Sequence, residues 1–188
     1  MLYLGIDPGL TGALGVIDSD GRYVAVYDTP IVRMTLGKKI KHDYDLPGMA
    51  ALLRQHANST CIIERAQAMP GQGVVSMFMI GGGYYAWLAM MATLHISYLV
   101  IPAVTWKRAI GLSKDKEQSR LRAQQLFPAA DLRLKKFHGR AEALLLARYG
   151  WKEYGGRHQR EESVMPAYCT PIQRIVPLSS DDARQVFV

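Results

Sequence analysis

The hydrophobic positions fall into short runs that stop at a carboxylate or a turn. Leu2 to Asp7 is an apolar run followed by Pro8-Gly9, the pattern of a buried strand and a turn. Gly12 to Asp18 predicts a second strand, Asp20-Gly21 a hairpin turn, and Arg22 to Asp28 a third strand with alternation. Met34 to Tyr44 is polar and carries Lys38, Lys39, Lys41 and His42, so it reads as an exposed basic loop. Asp45 is placed to cap a helix that has Pro47 in its first turn and runs to about His56. Thr60 to Glu64 repeats the opening pattern, an apolar strand ending at a carboxylate.

A Pro/Gly loop over Gln67 to Gly73 then leads into a long apolar helix from about Val75 to Leu94, and Tyr98 to Ile101 is the fifth strand. Pro102 to Gly111 reads as a turn and short helix. Lys114 to Leu126 reads as a basic helix stopped by Pro128, and Gly139 to Tyr149 as an apolar-striped helix carrying Glu142. From Gly155 the chain is rich in Arg, Gln, Pro and Ser and reads as a partly irregular tail. The order implies an α/β fold: a mixed five-stranded sheet, three antiparallel strands then two parallel ones, with helices on both faces. Residues 1–150 then form one domain and residues 151–188 a C-terminal extension.

Composition narrows the partners. The 188 residues suit a single core, and a net charge of +7 favours a polyanion such as nucleic acid. Cys61 and Cys169 lie far apart without CxxC spacing, which argues against a zinc site or a disulfide framework and fits a reducing cytoplasm. No stretch reads as a signal peptide. Val74 to Val100 contains no Lys, Arg, Asp or Glu and is long enough to span a bilayer. Leu94-His95-Ile96-Ser97 divides it like a turn between a buried helix and a strand, so no membrane partner is expected.

Asp7 and Glu64 carry the chemistry. A carboxylate at the end of a buried strand is costly without a cation or donors. One alone is as well explained by solvent contact. Two, on strands that this order makes neighbours, meet at one sheet edge and suit a hard divalent cation. Glu142 interrupts the apolar stretch Ala141 to Ala147 and is the third candidate, with an exposed Glu paired to Arg148 or Lys135 as the alternative. His138 lies four residues earlier on the same helical face.

The segments Gly5-Ile6-Asp7-Pro8-Gly9-Leu10-Thr11-Gly12, Cys61-Ile62-Ile63-Glu64, Met69-Pro70-Gly71-Gln72-Gly73 with Ser76-Met77-Phe78, Pro102 with Thr105-Trp106-Lys107, and His138-Gly139-Arg140-Ala141-Glu142-Ala143-Leu144 occur in that order. Together, over roughly residues 1–150, they resemble the RuvC-type Holliday junction resolvases of the phage, bacterial and plastid branch, within the RNase H-like superfamily. The first segment alone is shared by sugar kinases and actin-like ATPases. Those need a second such domain, for which 188 residues are too few, and no nucleotide cofactor is expected.

The resemblance implies a DNA-recombination and repair endonuclease. It would be a homodimer on a four-way DNA junction, cutting symmetrically with two Mg²⁺ or Mn²⁺ ions per site. It implies metal ligation and catalysis by Asp7, Glu64 and Glu142. It also implies an Asp immediately before the His-Gly-Arg-Ala-Glu segment, where this chain has Phe137. Either His138 supplies the fourth ligand, or the chain is a junction-binding protein that cuts poorly.

Lys107, Lys114, Lys116, Arg120, Lys135, Lys136 and Arg140 are candidates for phosphate contacts, although each alone is an ordinary solvated charge. The resemblance adds Gln72, and Phe78 as a wedge against an unstacked base. On pattern alone Phe78 reads as a core aromatic, as do Trp87 and Trp106. The Gly81-Gly82-Gly83 helix permits close helix approach and is assigned to the dimer interface.

Overall fold

The structure is a computed structural model and describes residues 1–37, 39–113, 115–161 and 174–175. The opening meander is as expected: β1 (Leu2–Asp7), β2 (Ala13–Ile17) and β3 (Tyr23–Asp28) pair antiparallel in sequence order. β6 (Ser59–Glu64) lies parallel beside β1, and β7 (Ser97–Ile101) parallel beside β6, which completes the five-stranded mixed sheet. A two-residue strand, β8 (Arg174–Ile175), adds a sixth position in the order β3-β2-β1-β6-β7-β8. The central strands are hydrophobic on both faces, and every residue of β2 is buried, because helices cover the sheet on each side.

Side-chain alternation separates the two cores. Tyr3, Ile17, Ile62, Leu99 and Ile101 pack with α5 (His138–Glu161), together with Phe127 at the end of α4 (Lys116–Leu126) and Trp106 on α3 (Ala103–Ala109). Leu4, Ile6, Val16, Ile63 and Val100 pack on the opposite face with α1 (Leu46–Arg54) and α2 (Val74–Thr93). Asp45 caps α1 by accepting from the Gly48 N–H at 3.0 Å, and Pro47 sits in the first turn where no N–H is needed. α2 buries Gly83, Tyr84, Trp87 and Met91 against the sheet, and among the described residues nothing covers its other side. Its length and composition alone would also suit a membrane span.

Two expectations are corrected. The basic segment before Asp45 is not a loop. It forms β4 (Ile31–Leu36) and β5 (Lys39–Tyr44), an antiparallel ribbon separate from the main sheet. Strand alternation was hidden there because neither face is buried, so polar and apolar residues are mixed on both. The last helix does not end near Tyr149. It continues to Glu161, past Gly155, where the partly irregular tail was expected to begin. Tyr149 is buried on it, and Trp151 and Tyr154 pack against the same core, which supplies tertiary contacts that outweigh glycine propensity.

Candidate metal centre

The parallel register of β1 and β6 matches Ile6 with Ile63, so Asp7 and Glu64 stand abreast where the two strands end. Alternation from Tyr3 through Gly5 to Asp7, and from Ile62 to Glu64, turns both carboxylates toward α5. Close contact of α5 with the sheet depends on Gly5: a Cβ there would overlap the Ala143 carbonyl oxygen and the Ala147 backbone nitrogen. The N-terminal turn of α5 is seated in the same way. A Cβ on Gly139 would collide with the Thr11 carbonyl and lie 3.3 Å from Asp7 Oδ2. Glu142, one turn on, is buried at 7% exposure on the inner face of the helix. Three carboxylates from two strands and one helix therefore face a common space.

Each is held by a different donor. Asp7 Oδ1 accepts weakly from the Gly9 N–H at 3.4 Å. Glu64 Oε2 accepts from Trp106 Nε1 at 2.8 Å. Glu142 Oε1 accepts from Lys107 Nζ at 2.6 Å, a pair with both side chains largely withdrawn from solvent. Burial pushes the Asp7 carboxyl up to about 6, and the charge of Glu142 adds to this. Gly9, Lys116 and His138 act in the opposite direction. Glu64 is pushed up to about 7 by burial first and then by Asp7 and Glu142, against Trp106 and Lys107. Mutual repulsion of this kind is relieved by a cation. Asp7 and Glu64 nevertheless keep part of their surface open.

Among the described residues, no three His, Cys, Asp or Glu side chains have their donors gathered closely enough to share one ion. Glu142 is instead turned to the Lys107 ammonium. The donor set still fits a hard divalent ion: it is carboxylate-rich and open on one side, and it already draws in one positive charge.

Phe137 ends a short 3₁₀ turn (Lys135–Phe137) and packs against the α4–α5 core, with the Arg140 guanidinium 3.9 Å from its ring centroid. His138, which opens α5, is the neighbour whose charge acts on Asp7. Phe137 is thus engaged in packing, while the charge of His138 reaches Asp7.

The basic candidates separate by environment. Lys116, Lys135 and Lys136 are exposed, and Lys107 reaches into the site. Two are corrected. Arg120 is buried and donates to the Leu132 and Arg133 carbonyls and to Glu117, so it ties α4 to the following segment and has no free edge for phosphate. Arg140 makes two 2.6 Å bonds to Asp28 and stacks on Phe137, which fixes β3 to α5. Lys114 lies outside the described residues. Gln72 closes its own loop by accepting from the Met69 N–H at 3.4 Å. Phe78 is 78% exposed at the start of α2, which excludes the core reading.

Trp87 and Trp106 are buried as expected, but the bond from Trp106 to Glu64 was not foreseen. A buried indole N–H seeks an acceptor, and the adjacent Lys107 was the available signal that this turn enters the site.

No family model matches the chain. Over 89 residues, 45% of the chain, it is 34% identical to "Holliday junction resolvase MOC1, chloroplastic" of Chlamydomonas reinhardtii, and the matched part is 10% of that protein. In structure it is similar to T. thermophilus RuvC in complex with Holliday junction substrate, with a TM-score of 0.56 and 14% identity over 79% of this chain and 92% of that one. A second Thermus thermophilus RuvC structure gives a TM-score of 0.50 and 16% identity over 86% and 97%. The chain has the RNase H-like fold of RuvC-type resolvases, and the resemblance seen in its motifs extends to the arrangement of its elements.

Proposed function

We propose, with this RuvC-type fold as premise, that the chain is a metal-dependent endonuclease that resolves four-way DNA junctions. What supports the reading is that Asp7 and Glu64 end neighbouring parallel strands and that Glu142 is near enough to add its charge to the burial that raises both carboxyls, a repulsion a cation would relieve. Asp7, Glu64 and Glu142, with His138 beside them, would hold Mg²⁺ or Mn²⁺. Two such ions supply water activation and leaving-oxygen stabilisation in phosphodiester hydrolysis.

The remaining work falls to the chain's own groups. Trp106 holds one oxygen of Glu64 and leaves the other for ligation. Lys107 offsets the charge of the Glu142 carboxylate and would supply a cation to a phosphate bound beside it. Lys116, Lys135 and Lys136 neutralise flanking phosphates. Exposed Phe78, with Gln72 before it, is placed to press on unstacked bases at the crossover. The uncovered side of α2 supports a two-fold dimer, which would bring two such sites to one junction.

A binding-only protein is the rival reading, because Phe137 stands where the resemblance implies an Asp. The test is cleavage of a synthetic four-way junction with Mg²⁺ or Mn²⁺, beside linear duplex of the same sequence. Symmetric nicking of the junction alone is expected. Binding without cleavage under either ion would leave only the junction-binding function.

A further inference from the structure

Among the described residues, β4 and β5 pair with each other and with no strand of the main sheet. Ile31 to Thr35 and Ile40 to His42 are all exposed, so both faces of the ribbon stand open. The register sets Arg33 opposite His42 on one face and Met34 opposite Lys41 on the other. Ile31, Val32, Met34 and Ile40 are exposed apolar side chains among these charges. Residues 31–44 carry Arg33, Lys38, Lys39 and Lys41 against a single carboxylate, Asp43. A two-stranded ribbon without a third strand or a covering helix is marginal by itself.

The base of the ribbon is nonetheless firmly held. Tyr44 is buried, donates its hydroxyl to the Pro8 carbonyl at 3.3 Å, and fills the space left by the missing side chain of Gly83 on α2. Asp45 N–H closes the base onto the Pro30 carbonyl at 3.0 Å. Pro8 directly follows Asp7, so the ribbon is rooted at the rim of the carboxylate site. Six residues of strand extend about 20 Å.

We propose that this ribbon is a contact for one duplex arm of the DNA, laid along a groove with its cations on the phosphates at either side. A two-stranded ribbon fits the B-form major groove, about 12 Å wide. Its reach corresponds to about six base pairs at the roughly 3.4 Å rise along a strand. Charge complementarity selects the partner: cations on both faces suit the two phosphate walls of a groove, with the short apolar side chains between them. The inference rests on the junction-nuclease reading and names where one arm lies.

The test is the double variant Arg33→Ala with Lys41→Ala in the full chain. Both side chains are exposed, so an unchanged melting temperature is the folding control. Junction affinity is measured across a salt series, with arms of about 12 and about 4 base pairs. Each lost phosphate contact flattens the log–log salt dependence by about 0.9, so a slope smaller by about 2 is expected. Wild type should bind the long-armed junction more tightly than the short-armed one, and the variant should lose that difference. The cleavage rate at saturating DNA should stay unchanged.

Equal slopes and equal arm-length dependence in the two proteins overturn the proposal. So does an unchanged slope with loss of dimerisation, which assigns the ribbon to a second copy. Failure of the junction reading looks different: wild type then shows no preference for junctions over linear duplex, while the slope difference measured on duplex still reports on the ribbon.

Discussion

Position 137 shows why a residue's neighbours in space outrank its neighbours in sequence. Phe137 stands next to the site in the chain yet packs into the α4–α5 core under Arg140. Phe137→Asp should therefore leave Mg²⁺-dependent cleavage no faster. It should lower stability by about 1–3 kcal/mol, since it trades half-buried aromatic packing for a charge; thermal melts and junction cleavage together check this. Asp7→Asn should abolish cleavage and leave junction binding in place, as read by gel shift beside product formation. Trp106→Phe keeps the buried ring but leaves Glu64 Oε2 without its donor. Groups that orient a metal ligand commonly contribute 10–100-fold, so a loss in that range is expected in the Mn²⁺ concentration giving half-maximal cleavage. Asp28 offers a pH test. The Arg140 hydrogen bonds hold its carboxyl below the usual Asp range. The pair therefore contributes its stability above the unfolded Asp value of about 4 and loses it as pH falls further. Asp28 is mostly solvent-exposed, so the effect is about 1 kcal/mol or less. The melting-temperature gap between wild type and Asp28→Asn should be present at neutral pH and close below about pH 4.

At the scale of elements, the site exists because one helix lies unusually close to one strand. Gly5 and Gly139 permit that approach, and Glu142 and His138 arrive with it. Gly5→Ala forces the α5 backbone outward, so it should cost at least the 1–3 kcal/mol typical of overpacking. Cleavage should fall further than junction binding, because Glu142 moves with the helix; denaturant unfolding and cleavage assays on the same preparation separate the two losses. The strands and their order were legible in the sequence because burial on one or both faces imposes a readable period, as in Leu2 to Asp7 and Thr60 to Glu64. The two strand-end carboxylates were legible for the same reason: a charge interrupts an apolar run. The β4–β5 ribbon was not legible, since open faces impose no period on Ile31 to Tyr44. Nor were the bonds from Arg120 to the Leu132 carbonyl and from Arg140 to Asp28, because a surface guanidinium and a buried one are written with the same letter.

For the whole molecule, the question is what covers α2. Its outward positions Val75, Phe78, Gly82, Tyr85 and Ala89 are all exposed and recur at alternating steps of three and four, the spacing of a helix–helix seam. Nothing lies within 4 Å of where a Cβ would sit on Gly81 or Gly82, so a second helix can come close between the two aromatic side chains. Tyr85, at 69% exposure, with Gly82 and Ala89 on the same side, forms an apolar stripe exposed among the described residues, while Phe78 lies at the helix start, beyond the centre of the seam. A two-fold partner presenting the same helix would bury both stripes at once, since each copy offers the same small and large residues to the other. Tyr85→Glu puts two like charges into that seam, one from each copy, and touches no carboxylate of the site. Sedimentation should show the wild type as a dimer at micromolar concentration and the variant shifted to monomer. On a junction with one nickable strand protected, single-strand cutting by the variant should persist at raised protein concentration. On an unprotected junction, the two nicks should lose their near-simultaneity, because each would then be made by an independently bound copy. A wild type that stays monomeric with and without junction DNA removes the seam, and leaves the exposure of Tyr85 to be explained otherwise.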